Sequence, residues 1–230
     1  MTITEAYVKG TVPFMGIEVR VAPGALVPRA ETELLGEAAA SALEKMEAPA
    51  PRVIDMCCGA GNLACALAVR FPAARIWAGD VTAECVGLAR ENVRRLGVES
   101  RVTVAQGDLF AACAGQGLEG TIDLIVCNPP YISQKRLAGE SAALLEHEPR
   151  EAFDGGPYGL SIHQRVIRES RVFMKTGGWL MFEVGLGQAE QVKILFGRSH
   201  LFDEVHAVAD AHGAARVVRA RRKAPVPAPT

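Results

Sequence analysis

From Arg52 onward, apolar runs of strand length take turns with stretches of helical period, and few architectures accept that order. Residues 52–56, 75–79, 101–105 and 123–127 read as short strands, with helical stretches at 62–71 and 83–96 between them. In the second of these helices Val86, Ala89, Val93 and Leu96 recur at spacings of three and four, and Thr82 is placed to cap it. A helix at 159–175, a strand at 179–184, a short helix at 187–196 and two closing strands at 203–209 and 214–220 complete the pattern. Upstream, 17–22 alternates like a strand, and 31–46 places Leu35, Ala38, Ala39, Ala42 and Met46 on one helical face. Strands separated by helices need crossover connections, which predicts an α/β fold with a doubly wound, mostly parallel seven-stranded sheet. The turn at Ala211-His212-Gly213 predicts a C-terminal antiparallel hairpin at one edge. The expected domains are an N-terminal extension with a short β-hairpin (1–24), a main domain (25–221) and a disordered tail (222–230). The basic run beginning at Arg219 is read as part of a solvated terminus.

Composition narrows the function classes. Lys and Arg number 25 against 26 acidic residues, a net charge of −1, so the chain has no general attraction for nucleic acid and DNA is not the expected partner. No apolar run reaches the roughly 18–20 residues that span a bilayer, and the opening MTITEAYVKG lacks a signal-peptide pattern. Six cysteines form no Cys-x-x-Cys pair, which predicts reduced thiols and a cytoplasmic protein with no metal site. The histidines are scattered; His147, between Glu146 and Glu148, is read as a surface residue.

Three local patterns carry chemistry. The stretch Val53–Asn62 is strand, tight turn and helix start, with Gly59 and Gly61 letting the backbone approach a ligand. Asp55 before this turn suits a cationic group, such as the amino group of S-adenosylmethionine. Asp80 and Val81 close the next strand, where a carboxylate accepts from ribose hydroxyls. Asp108, followed by Leu109, has the chemistry to accept from an adenine amino group while its apolar neighbour packs on the ring. The third pattern is Asn128-Pro129-Pro130-Tyr131, which leaves a buried strand. Proline stiffens itself and the residue before it, so two oxygens (Asn128 side chain, Pro129 carbonyl) and the Tyr131 ring become a rigid bracket. Such a bracket suits a planar NH2 group, whose delocalised lone pair needs aiming at an activated methyl. The long stretch 128–158 follows at the carboxyl edge of the sheet, where open α/β sheets bind ligands.

With these residues in view, the chain resembles the Rossmann-like class I methyltransferases, and most closely the protein-(glutamine-N5) methyltransferases of the HemK/PrmC family. The matching stretches are Pro28–Glu33, Val53–Gly61, Asp80, Gly107–Phe110, Asn128–Tyr131 and Glu148–Gly156 with Gly159-Leu160. The resemblance implies S-adenosyl-L-methionine as cofactor, held by Asp55, Cys57, Gly59, Gly61, Asp80, Val81, Asp108, Leu109 and Asn128. It implies that Asn128, Pro129 and Tyr131 grip the target amide. Arg29, Glu31 and Thr32 would line the mouth of the site, Arg29 pairing with either the cofactor carboxylate or a structural acid. Glu148 and Arg150 would order over the substrate. Cys57 stands where the family has its first turn glycine, and Ala30 where it has a second proline. The chain is expected to lack the family's usual helical N-terminal domain. The acceptor implied is a release-factor glutamine; a small-molecule amine, amide or guanidine is the alternative, and a non-catalytic cofactor-binding subunit a third.

Overall fold

The computed structural model describes residues 2–146 and 148–224. His147 and the proline-containing end of the tail lie outside the described residues. The chain opens with helix α1 (Ile3–Lys9) and the hairpin β1 (Thr11–Phe14) and β2 (Ile17–Arg20). Helix α2 (Ala30–Lys45) leads to β3 (Arg52–Met56), α3 (Asn62–Arg70), β4 (Arg75–Asp80), α4 (Ala83–Arg95), β5 (Val102–Gln106) and β6 (Ile122–Cys127). The stretch after β6 holds the single turn α5 (Gln134–Leu137) and two short 3-10 turns. Then come α6 (Ser161–Ser170), β7 (Met174–Glu183), α7 (Ala189–Ser199), β8 (Phe202–Ala209) and β9 (Ala215–Arg222).

The seven-stranded sheet has the order β5-β4-β3-β6-β7-β9-β8. β3 pairs in parallel with both β4 and β6, while β9 is antiparallel to β7 and β8. The strand direction of winding therefore reverses between β3 and β6, which puts a crevice at their carboxyl ends. Alternate residues explain why the sheet is covered on both faces. Val53, Leu124 and Val126 join the cluster under α2, α3 and α4. Ile54, Ile125 and Cys127 join the cluster under α6 and α7.

The first 24 residues pack into the same core: Ala6, Val12, Phe14, Val19 and Val21 are buried with Leu35 and Val53. A polar tie locks them there. Asn92, fully buried on α4, accepts from the Arg20 N–H (2.7 Å) and donates to the carbonyls of Arg20 (3.0 Å) and Ala60 (2.9 Å).

Two expectations need correction. The basic run at Arg219–Arg222 is not a solvated terminus but the end of β9, paired with both β7 and β8. Val217, Val218 and Ala220 are buried, and the arginines project between them. The helix expected through residue 175 stops at Ser170, and β7 begins at Met174. Gly178 lies so close to the carbonyls of Ile122 and Asp123 that a Cβ there would touch both at 3.0 Å. Thr82 caps α4 as expected, accepting from the Cys85 N–H at 3.2 Å.

Candidate active site

The carboxyl ends of β3, β4 and β6 open on a cavity of about 470 Å3. Cys57, Gly59, Asp80, Val81, Asp108, Leu109 and Asn128 line it, together with Thr32 and Arg150. A second cavity, of about 200 Å3, adjoins it and is lined by Arg29, Glu31, Pro129, Tyr131, Glu183 and Arg216. Asn128, Leu26 and Ala152 belong to both walls, and Asn128 is the polar one. The two prolines divide: Pro130 faces the larger cavity and Pro129 the smaller.

Local geometry explains the wall of the larger cavity. Asp80 receives the Gly59 N–H on one oxygen (2.9 Å) and the Thr82 N–H on the other (3.2 Å), which ties the β3 turn to the end of β4. Gly59 sits at φ +53, and a Cβ there would point into open space. Gly61 behaves differently. Its φ is +74 and a Cβ would meet the Ala89 side chain at 3.0 Å, so this glycine serves the packing of α3 on α4 rather than the approach of a ligand. Two non-glycine residues of the wall, Cys57 (φ 59) and Leu109 (φ 50), hold left-handed backbone. Such positions cost roughly 1–2 kcal/mol and tend to gather at functional sites.

Asp55 is placed otherwise than the sequence suggested. It is 1% exposed and lies behind the turn, outside the cavity wall. One oxygen accepts from the Ala64 N–H (3.0 Å), while the other has no partner among the described residues. Burial pushes its carboxyl up to about 7, with Asp80 nearby adding to the effect. Asp108 is at the cavity rim, but Arg165 holds both of its oxygens at 3.0 Å, so the side chain is already engaged. Arg29 makes the structural ion pair: its guanidinium bonds Glu148, and it faces the smaller cavity.

The long stretch after β6 is fastened over both cavities. Glu148, buried, also accepts from the Val27 N–H at 2.8 Å. Ile132 and Asp154 form a parallel bridge, with Ile132 N–H to the Phe153 carbonyl and Gly155 N–H to the Ile132 carbonyl, each 2.9 Å. Gly155 makes this fit possible, because a Cβ would strike the Pro130 carbonyl at 2.8 Å. Arg150, expected over the substrate, lines the larger cavity and pairs with Asp154 at 3.1 Å.

Asn128 is held from behind. Its Nδ2 donates to Thr32 Oγ1 (3.1 Å), and that hydroxyl donates to Glu183 Oε2 (2.7 Å). Tyr131 OH donates to Glu183 Oε1 (3.2 Å), and Arg216 stands 3.9 Å from the same oxygen. Burial and Glu183 together push the Tyr131 phenol up to about 12, so it remains a donor. Gln188 Nε2 bonds the Tyr131 carbonyl at 2.9 Å. No hydrogen bond among the described residues uses Asn128 Oδ1 or the Pro129 carbonyl.

Comparison with known proteins identifies the lineage. The Methyltransferase small domain profile matches residues 33–158. The release factor glutamine methyltransferase of Geobacter sulfurreducens is 38% identical over 216 residues, spanning 94% of this chain and 72% of that protein. The chain belongs to the release factor glutamine methyltransferase family. It is therefore an enzyme, a methyltransferase of the S-adenosylmethionine-dependent kind. Among solved structures, this family member resembles the release factor-specific protein-(glutamine-N5) methyltransferase of Alicyclobacillus acidocaldarius. That match has a TM-score of 0.54 and 26% identity over 89% of this chain and 99% of the other. The N-terminal domain of human METTL16, solved with SAH, shares the fold at TM-score 0.62 and 16% identity over 90% of this chain and 76% of that one.

Sequence reasoning missed Glu183, Gln188 and Arg216. Glu183 carried a signal: a carboxylate ending the apolar run Trp179–Phe182 has to find partners inside the fold. Arg216 carried none, because the β7–β9 pairing alone brings it to the site.

Proposed function

We propose that this enzyme transfers a methyl group from S-adenosylmethionine to the side-chain amide nitrogen of a glutamine on a peptide-chain release factor. The observation that carries the reading is Asn128, the polar side chain common to the walls of two adjoining cavities. A donor in the larger cavity and an acceptor in the smaller one meet at that wall.

The residues present fit the cofactor. Gly59 leaves open space where a side chain would otherwise intrude, and Asp80 presents a carboxylate with acceptor capacity beyond its two backbone bonds. Val81, Leu109 and Ile162 give apolar surface for a base. Cys57, at the family's glycine position, keeps the glycine-like backbone, so the turn is preserved with a thiol added to the wall. Gly61 and Asp55 support the turn from behind, and Asp108 borders the pocket through its pair with Arg165.

When bound, S-adenosylmethionine supplies a methyl group already activated by its sulfonium. The chain's own task is then to present the acceptor nitrogen. Asn128 Oδ1 and the Pro129 carbonyl accept the two amide hydrogens, which draws them from the amide plane and recovers nucleophilic character on nitrogen. The proline frame makes both oxygens fixed before substrate arrives. Tyr131, pinned by Glu183 and Gln188, gives the smaller cavity a flat wall for the amide. Arg29 and Glu31 line that cavity, Glu148 fastens the segment beside it to the Val27 N–H and Arg29, and Arg150, paired with Asp154, lines the larger cavity. A cavity of about 200 Å3 admits the end of a glutamine side chain. The six free thiols support residence in the reducing cytoplasm.

The test is transfer of labelled methyl from the cofactor to a release factor and, separately, to a panel of small amines and amides. Label on a release-factor glutamine, lost by about 100-fold or more in Asn128→Ala while cofactor affinity holds within a few-fold, is the expected result. Label confined to small molecules, or turnover persisting in Asn128→Ala, overturns the assignment.

A further inference from the structure

An asparagine amide can face either way, and only one orientation offers Asn128 Oδ1 to an incoming N–H. We infer that Thr32 and Glu183 form a directional relay that fixes the Asn128 amide in its accepting orientation, which makes both of them positioning residues for methyl transfer. The inference rests on the role given to Asn128 above.

The direction follows from counting protons. Glu183 ends β7 at 2% exposure, with Arg216 beside it and two hydroxyls directed at it. Burial raises the Glu183 carboxyl, the bonds from Thr32 and Tyr131 and the Arg216 charge oppose that, and in its ionised form the carboxylate only accepts. The single hydroxyl proton of Thr32 is therefore committed to Glu183, at 2.7 Å. What Thr32 Oγ1 has left is lone pairs, and these face Asn128 at 3.1 Å. With Nδ2 toward Thr32, a hydrogen bond forms and Oδ1 is turned to the other side. With the amide reversed, two acceptors would face one another in a buried setting, which loses the bond and adds repulsion. The relay is rigid at each end. Thr32 is 3% exposed in the first turn of α2, its N–H bonded to the Arg29 carbonyl at 3.1 Å. Asn128 is locked by the proline that follows it.

The relay explains why a threonine at the start of α2 and a glutamate 151 residues later converge on the same amide. Neither needs to touch substrate. Each acts by removing the wrong state of Asn128 before the acceptor arrives, so the loss should appear in kcat rather than in binding.

The experiment uses the full chain, labelled cofactor and a release factor. Thr32→Val keeps the shape and deletes the hydroxyl; Thr32→Ser keeps the hydroxyl. The expected result is a kcat lowered about 10- to 100-fold in Thr32→Val, with KM for the acceptor and affinity for S-adenosylhomocysteine within a few-fold. Thr32→Ser should recover kcat to within about three-fold. Glu183→Gln, whose amide can donate to Thr32 and free its hydroxyl to turn toward Asn128, should also lower kcat. Equal kcat in Thr32→Val and wild type, or a Thr32→Ser as impaired as Thr32→Val, overturns the relay. An acceptor-independent readout separates this from failure of the glutamine assignment. The side-chain 15N resonance of Asn128, identified by its loss in Asn128→Ala, should move in Thr32→Val and stay near its place in Thr32→Ser. If the wild type methylates no release factor, the acceptor assignment falls, and this resonance still decides the relay. No movement in Thr32→Val refutes it.

Discussion

Replacing Asn92 by alanine offers the sharpest trial of how the hairpin is held to the sheet. The side chain makes three hydrogen bonds, to the Arg20 N–H and to the Arg20 and Ala60 carbonyls, in a fully buried position. Truncation deletes all three and leaves one donor and two acceptors without these partners. At about 1 kcal/mol net for each bond, and more for groups left buried without a partner, the expected loss is about 3–5 kcal/mol of unfolding free energy. Asn92→Asp should be no milder: it keeps the acceptor for Arg20 but places negative oxygens against two carbonyls. Urea unfolding followed by circular dichroism measures the difference, with the slope of free energy against urea unchanged. A loss under about 1 kcal/mol would refute the idea that this asparagine, and not apolar packing alone, fastens the N-terminal segment to α4 and the β3 turn.

Three further outcomes are expected. Asp55, with its carboxyl raised to about 7 by burial, is neutral in folded and unfolded chains below its ordinary range. As pH rises from about 4 to 7, only the unfolded chain ionises, so stability falls through that window and levels off above it. The unfolding free energy of wild type relative to Asp55→Asn should thus drop by up to about 4 kcal/mol between pH 4 and pH 8, and a pH-independent difference contradicts the burial argument. Asp80→Ala should weaken cofactor binding about 10- to 100-fold by calorimetry, since a charge-assisted hydrogen bond is lost; unchanged affinity removes Asp80 from the cofactor site. Cys57→Gly relieves a left-handed strain of roughly 1–2 kcal/mol, offset by about 0.5–1 kcal/mol of added chain entropy in the unfolded state. A melting temperature equal to or slightly above wild type is expected, and a clear decrease would mean that the thiol packs favourably.

What the sequence disclosed, and what it hid, follows how local each cause is. Arg52–Met56 was legible to the residue because both faces of that strand are buried and its apolar run is continuous. The Asn128 bracket was legible because proline writes backbone geometry into adjacent positions. Helix α1 was missed: its main signal is the capping box of Thr2 and Glu5, and only Ala6 is buried to betray a face. The early start of β7 was missed because Lys175–Gly178 has no strand pattern, its path being set by the neighbouring carbonyls of β6. Gly61 and Asp55 were given ligand roles because the turn is recognisable from sequence, whereas the direction each group faces depends on α4 and α3. Glu183 and Arg216 reach the site through the antiparallel register of β7 with β9, a relation between distant segments.

The partition between the two cavities has a kinetic meaning. On the proposed reading, donor and acceptor take the two cavities that share Asn128, so both are resident at once and no methylated enzyme is needed to carry the group between them. Initial-rate plots should intersect rather than run parallel. The same partition marks a route for inhibitors: a nucleoside joined to a short amide-bearing arm, threaded past Asn128, would fill both chambers as one molecule and hold the second half at high effective concentration.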